Sequence, residues 1–281
     1  MGPIRRRAAF GTVLALTLAL TATGCGVIAE RSSPATLRVG YDTLDGDLHV
    51  WPPRGSLAGD TEAVDQVTAA VEKWRTPTDE LVHLASSGIL WLGEVDGARL
   101  ALVAANVPGT AASWLLQLTG QGSSFEVVHA VEYTDPGYLV YSDVLPVWTS
   151  DGRRYLTSAR VERLIGPDGQ DVPVTDGLSA PVNVPGCSAV SLTAELRRTE
   201  SLSDGPAEDR LLDLGTAIDN LGYPLVRDES GSGAEALAGL DTCALTRRTG
   251  PFGSEPRRGP SGERVERLPQ SWPLDRLAAR T

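Results

Sequence analysis

The stretch Gly88-Ile89-Leu90-Trp91-Leu92-Gly93-Glu94-Val95, then Asp96-Gly97, then Ala98-Arg99-Leu100-Ala101-Leu102-Val103-Ala104-Ala105-Asn106 decides the fold class. Two apolar, β-prone runs flank a dipeptide whose residues tolerate the positive φ angles of a tight turn, the strongest short-range signal for a hairpin. The same grammar continues downstream. Pro108-Gly109 leads into Ser113 to Thr119, where Trp114, Leu116 and Leu118 share a face, and Gln121-Gly122-Ser123-Ser124 leads into Phe125 to Tyr133. In that last run Phe125, Val127, His129, Val131 and Tyr133 are expected on one face, with Glu126 and Glu132 on the other. Asp135-Pro136-Gly137, Asp151-Gly152 and Gly166-Pro167-Asp168-Gly169 punctuate further runs at Tyr138 to Trp148, Tyr155 to Ile165 and Val172 to Val174. Short connections between such runs predict an antiparallel meander.

Upstream, Thr36 to Trp51 alternates around Asp45-Gly46, a second hairpin. A helix is expected over Thr61 to Arg75. Asp60 suits the N-cap, Val64, Val67, Val71 and Trp74 form one stripe, and Pro77 prevents continuation. A further strand is expected from Ala189 to Leu196. A second helix is expected after Pro206, with Leu211, Leu214, Ile218 and Leu221 as its stripe, Gly222 at its end and Pro224 beyond. The expected class is α+β, mainly β: a curved antiparallel meander sheet that could close toward a barrel, with two amphipathic helices packed on it. Trp91…Asp96-Gly97 and Trp148…Asp151-Gly152 look loosely repeated, but their offsets differ, so the likeness is hairpin chemistry and not a propeller blade.

At the N-terminus Arg5, Arg6 and Arg7 precede the apolar segment Ala8 to Leu20, and small residues follow in Ala22-Thr23-Gly24-Cys25. That order of positive, apolar and small-residue regions is the order of a secretory signal, and the apolar part is short for a bilayer span of roughly 20 residues. Thr23-Gly24-Cys25 resembles the lipobox of bacterial lipoproteins, with Ala22 where that pattern usually has leucine. The resemblance implies lipidation of Cys25: a diacylglyceryl thioether on a new N-terminus, usually with a third, amide-linked chain. Ala22-Thr23-Gly24 also fits an ordinary A-x-A-like secretion site, which would release the protein instead. Beyond the lipobox, the β-rich body with Asp-Gly hairpins, a cysteine pair and a Pro/Arg-rich tail is similar in style to lipoproteins of high-GC Gram-positive bacteria. That similarity carries no activity and no site residues. A single lysine, Lys73, against 24 arginines fits such a genome.

The expected organisation is a signal peptide over 1–24, a lipidated tether over 25–35, one β-rich domain over 36–246 and a basic Pro/Gly/Arg-rich tail over 247–281, disordered apart from a short helix near Leu274 to Ala279. The formal charge is −11, and −14 once Arg5, Arg6 and Arg7 are removed. Residues 25–246 hold 32 acidic and 14 basic side chains, and 247–281 hold 4 and 8. An acidic body argues against nucleic acid and against anionic polymers as partners. The expected partners are the membrane, through the N-terminal lipid, and an envelope protein or wall component.

With Cys25 lipidated, Cys187 and Cys243 remain, an even pair in an oxidising compartment and therefore a disulfide. No cofactor or metal is expected. The histidines His49, His83 and His129 have no ligand spacing, and no nucleophile elbow or phosphate-binding glycine loop is present in the sequence. Asp42, Asp45 and Asp47 look like part of a calcium loop but lack its closing glutamate, Pro53 standing in that place, so Asp45-Gly46 reads as a turn. Asp168 and Asp171 read the same way. Trp91 and Trp114 are expected in the core, and so are Trp51 and Trp148, for which lining a groove is the alternative. A non-catalytic binding module is the first reading. The second is an extracytoplasmic hydrolase in which His83 or His129 works with an acidic residue.

Overall fold

The structure, a computed structural model, describes residues 35–109, 113–133, 139, 142–200, 208–215, 225–227 and 243. The expected signal peptide, nearly all of the expected tether, and the expected disordered tail with at most a short helix lie outside the described residues.

The hairpin at the centre forms as its residues dictate. β4 (Gly88–Val95) and β5 (Ala98–Asn106) pair antiparallel through Val95 and Ala98, and Asp96 (φ 50°) and Gly97 (φ 79°) both take the left-handed conformation that a two-residue turn requires. β6 (Ser113–Gln121) and β7 (Ser124–Tyr133) extend the sheet antiparallel, and β1 (Arg38–Val39) lies parallel to β4 at the opposite edge, giving the order β1-β4-β5-β6-β7. Helix α1 (Thr61–Lys73) covers one face. Asp60 caps it, its carboxylate accepting from the Glu62 and Ala63 amides, and Val67 and Val71 pack with Ile89, Leu92, Ala101, Val103 and Leu116.

The opposite face is also buried, which is why these strands read as nearly continuous apolar runs. Leu90, Trp91, Leu102, Ala104 and Leu115 meet Val50 and Trp51 of the hairpin β2 (Tyr41–Asp45) and β3 (Leu48–Trp51). They also meet Leu145, Val147, Leu156 and Leu178 of a second sheet, ordered β11-β12-β9-β8, in which β8 is Val144–Thr149, β9 Gly152–Thr157, β11 Val174–Thr175 and β12 Leu178–Ser179. The far side of that sheet, through Val144 and Tyr155, packs on a third, β10-β13-β14-β15 (Val161–Ile165, Val190–Leu196, Glu208–Asp213, Leu225–Arg227). Helix and sheets stack in layers, and among the described residues no sheet closes into a barrel.

Four expectations are corrected. The runs do not form one meander: they divide among three larger sheets and a hairpin, and β1 joins in parallel. The run Tyr155 to Ile165 is two strands, because the chain leaves the second sheet at Ser158, whose amide donates to the Asp143 carbonyl, and β10 then joins the third sheet. The second helix is a strand where it is described. β14 pairs with β13 through Leu211–Leu192 and Leu212–Ser191, and with β15 on its other side, so its backbone groups are satisfied by a ladder. Ile218, Leu221, Gly222 and Pro224 lie outside the described residues.

The fourth correction concerns β7, whose single face is broken by a bulge. Gln117 pairs with His129 and Leu118 with Val127, leaving Val128 as the extra residue, so Phe125 and Val127 face the helix while Val131 and Tyr133 face the second sheet.

Candidate functional site

The proposed acid/base histidines take up two separate positions. His83 is exposed at the end of the first sheet where β1 begins, just before a 3₁₀ turn at Leu84–Ser86. Its amide donates to the Asn106 carbonyl, and its Nδ1 lies 2.9 Å from the Ser86 hydroxyl. Around it a polar cluster fixes the backbone. The Tyr41 hydroxyl donates to the Ser86 carbonyl at 3.0 Å, the Asn106 amide group donates to the Tyr41 hydroxyl at 2.9 Å, and the buried Ser113 hydroxyl donates to the Asn106 Oδ1 at 2.6 Å. The Ser87 hydroxyl donates to the His83 carbonyl and accepts from the Asn106 amide. These contacts pin η-turn and strand ends together, a task that needs short hydroxyl and amide side chains.

His129 stands on β7 and stacks on Trp148, ring centroids 4.8 Å apart at 19°. The Arg153 guanidinium lies 4.9 Å from the Trp148 ring centroid, so Trp148 is held between an imidazole and a cation. Buried Gln117 fixes the Trp148 backbone from both sides, donating to its carbonyl at 2.6 Å and accepting from its amide at 2.9 Å. Trp148 is thus half-buried in an inter-sheet contact. Trp51, the other tryptophan that could have lined a groove, is in the core, as are Trp91 and Trp114; the Trp91 indole donates to the Asp176 carbonyl at 3.2 Å. His49 is exposed on β3, opposite Leu44.

The strongest electrostatic feature was not legible in the sequence. Arg160, buried, donates from Nε to Asp143 Oδ1 at 2.8 Å and from Nη2 to Asp143 Oδ2 at 3.2 Å, and from Nη1 to Asp45 Oδ2 at 3.3 Å. Ser158 donates to Asp143 and Thr199 to Asp45. Burial alone would lower the Arg160 pKa, but the two carboxylates outweigh it and hold it above its ordinary value. Asp45 closes β2 opposite Leu48, so the tight turn is Gly46-Asp47 and not the expected Asp45-Gly46, and the Asp45 carboxylate serves as an anchor for Arg160. Of its neighbours, Asp42 is exposed and pairs with Arg38. A second buried acid, Asp213 on β14, accepts from the Tyr155 hydroxyl at 2.8 Å and from the Gly215 amide, with Arg153 Nε 3.6 Å away. Both constellations join residues more than 50 positions apart, and no local pattern announces them.

Asp168 accepts from the Gln170 amide in its turn, and Asp171 pairs with Arg163 on the surface. Among the described residues, no three His, Cys, Asp or Glu side chains are grouped so as to hold a metal ion. Cys187 and Cys243 stand at disulfide distance, their Cα atoms 5.0 Å apart. Cys25 lies outside the described residues. No family model, curated protein or solved structure matches the chain.

Proposed function

We propose that the chain is a lipid-anchored extracytoplasmic protein, held by acyl chains on Cys25 at the outer face of the cytoplasmic membrane, whose β-rich domain is a non-catalytic module for an envelope protein or wall component. The observation that carries this reading is the N-terminal order Arg5-Arg6-Arg7, Ala8 to Leu20, Thr23-Gly24-Cys25. Two or more acyl chains exceed the reversible hold of one, at about 0.8 kcal/mol per buried methylene. The side-chain contacts described above support a binding role over a hydrolytic one. The His83 ring meets the Ser86 hydroxyl, the His129 ring stacks on an indole, and the buried carboxylates Asp45, Asp143 and Asp213 are committed to arginine, hydroxyl and amide donors between sheets.

Growth of cells with a clickable fatty acid tests the anchor. Label should appear on the wild-type protein and vanish from Cys25→Ser, which should also move from the membrane fraction to the soluble one. Equal labelling of both proteins, or of neither, would contradict the reading.

A further inference from the structure

We propose that the end of the first sheet at which the chain enters the fold is a lipid-facing surface, with Leu81 and the exposed edge of Trp74 meeting the bilayer interface. The inference rests on acylation of Cys25. It follows from where the described chain begins and from how little chain precedes it.

Residues Leu37 to Val39 fix the point where the chain comes in. The Leu37 amide donates to the Thr68 hydroxyl of α1 at 3.1 Å, Arg38 pairs with Gly88 at the start of β4, and the Gly40 amide donates to the Ile89 carbonyl. The C-terminal end of α1, the bridge between Arg75 and Leu81, His83 and the Leu84–Ser86 turn all gather at this end, tied to β5 by the bond from the His83 amide to the Asn106 carbonyl. The opposite end carries the Asp96-Gly97 turn, to which Arg154 ties the Asp151 turn as well. From Gly88 to Val95 a strand rises about 3.3 Å per residue, so the two ends stand about 25 Å apart.

Ala35 stands ten positions after Cys25. Ten positions reach at most about 35 Å even when fully extended. The end holding Leu37 therefore cannot leave the neighbourhood of the acylated residue, whereas the Asp96-Gly97 end can stand a further sheet's length beyond it.

The composition of the near end suits an interface. Leu81 is 53% exposed, the highest but one among the large exposed hydrophobics of the described residues. Val82, Leu84 and Trp74 are half-buried beside it, and Lys73 and Arg75 are exposed where α1 ends. A half-buried indole flanked by long cations is the pattern that settles at the headgroup level. Glu72, Asp79 and Glu80 are exposed at the same end and outnumber those two cations by one. The contact therefore does not depend on anionic lipid: the short link supplies the effective concentration, and the apolar side chains supply the fit.

The test places a benzophenone amino acid at Leu81 or at Ala98, an exposed position at the far end, in the full-length protein in its own membrane. Irradiation followed by peptide mass spectrometry reads lipid adducts at each site. We expect roughly tenfold more adduct at Leu81 than at Ala98, in keeping with the local concentration set by a short link. The Cys25→Ser background should abolish it. Equal adduct at the two sites on protein whose Cys25 is acylated would overturn the lipid-facing assignment and leave the anchor standing. An unacylated Cys25 would overturn both.

Discussion

Arg160 sits between two buried carboxylates that come from different parts of the chain, Asp45 in the first hairpin and Asp143 just before β8. Taking three charges out of water is costly, and the cost is offset only while every member is paired. Removing the shared cation is therefore the most damaging single change in the network, because it leaves two carboxylates facing each other in a low-dielectric site. Arg160→Ala should lower stability by about 3 to 5 kcal/mol in urea denaturation. Asp45→Asn should cost distinctly less, since Asp143 keeps its two bonds to Arg160. Equal and small losses for the two variants would show that the network is solvated.

At the scale of elements, what was legible depended on whether a pattern was local. The β4–β5 hairpin and α1 were readable because each carries its own turn or cap: Asp96-Gly97 supplies the positive φ pair, and Asp60 accepts the first free helix amides. β14 was misread because Leu211 and Leu214 happen to stand three apart behind Pro206. The decisive facts are pairings with β13 and β15 from distant sequence, and Asp213 is buried there among partners that include Tyr155, Gly215 and Arg153. The bulge at Val128 was invisible for the same reason, as it exists in the register between two strands and not in either alone.

That bulge gives an element-scale prediction. Deleting Val128 would restore a regular pleat in which Val127 still faces Leu118 and His129 still faces Gln117, so Phe125 and Val127 stay toward the helix and Val131 and Tyr133 toward the second sheet. The deletion should therefore cost no more than about 1 kcal/mol, and Val128→Ala, at a 45% exposed position, should stay within about 0.5 kcal/mol. Urea midpoints of the two variants check this. A deletion that costs more than about 3 kcal/mol, as two displaced apolar side chains at about 1.5 to 3 kcal/mol each would, means that the strand does not keep this register.

For the whole molecule, the buried networks tie stacked sheets together, and Cys187 and Cys243 stand at disulfide distance. A bond between Cys187 and Cys243, 56 residues apart, would contribute about 4 kcal/mol in the chain-entropy model. The candidate site was less legible than the fold. The cysteine pair at disulfide distance was nameable from the even count left once Cys25 is set aside, whereas Arg160, Gln117 and Trp148 acquire their roles only through partners far along the chain.

The most direct measurement of the central claim is the intact mass of the protein extracted from membranes, without reduction. We predict a chain that begins at Cys25, carries a diacylglyceryl group with or without a third acyl chain, and lacks the two thiol hydrogens of Cys187 and Cys243. A mass that retains Met1 to Gly24, or that begins at Cys25 with a free thiol, would contradict it.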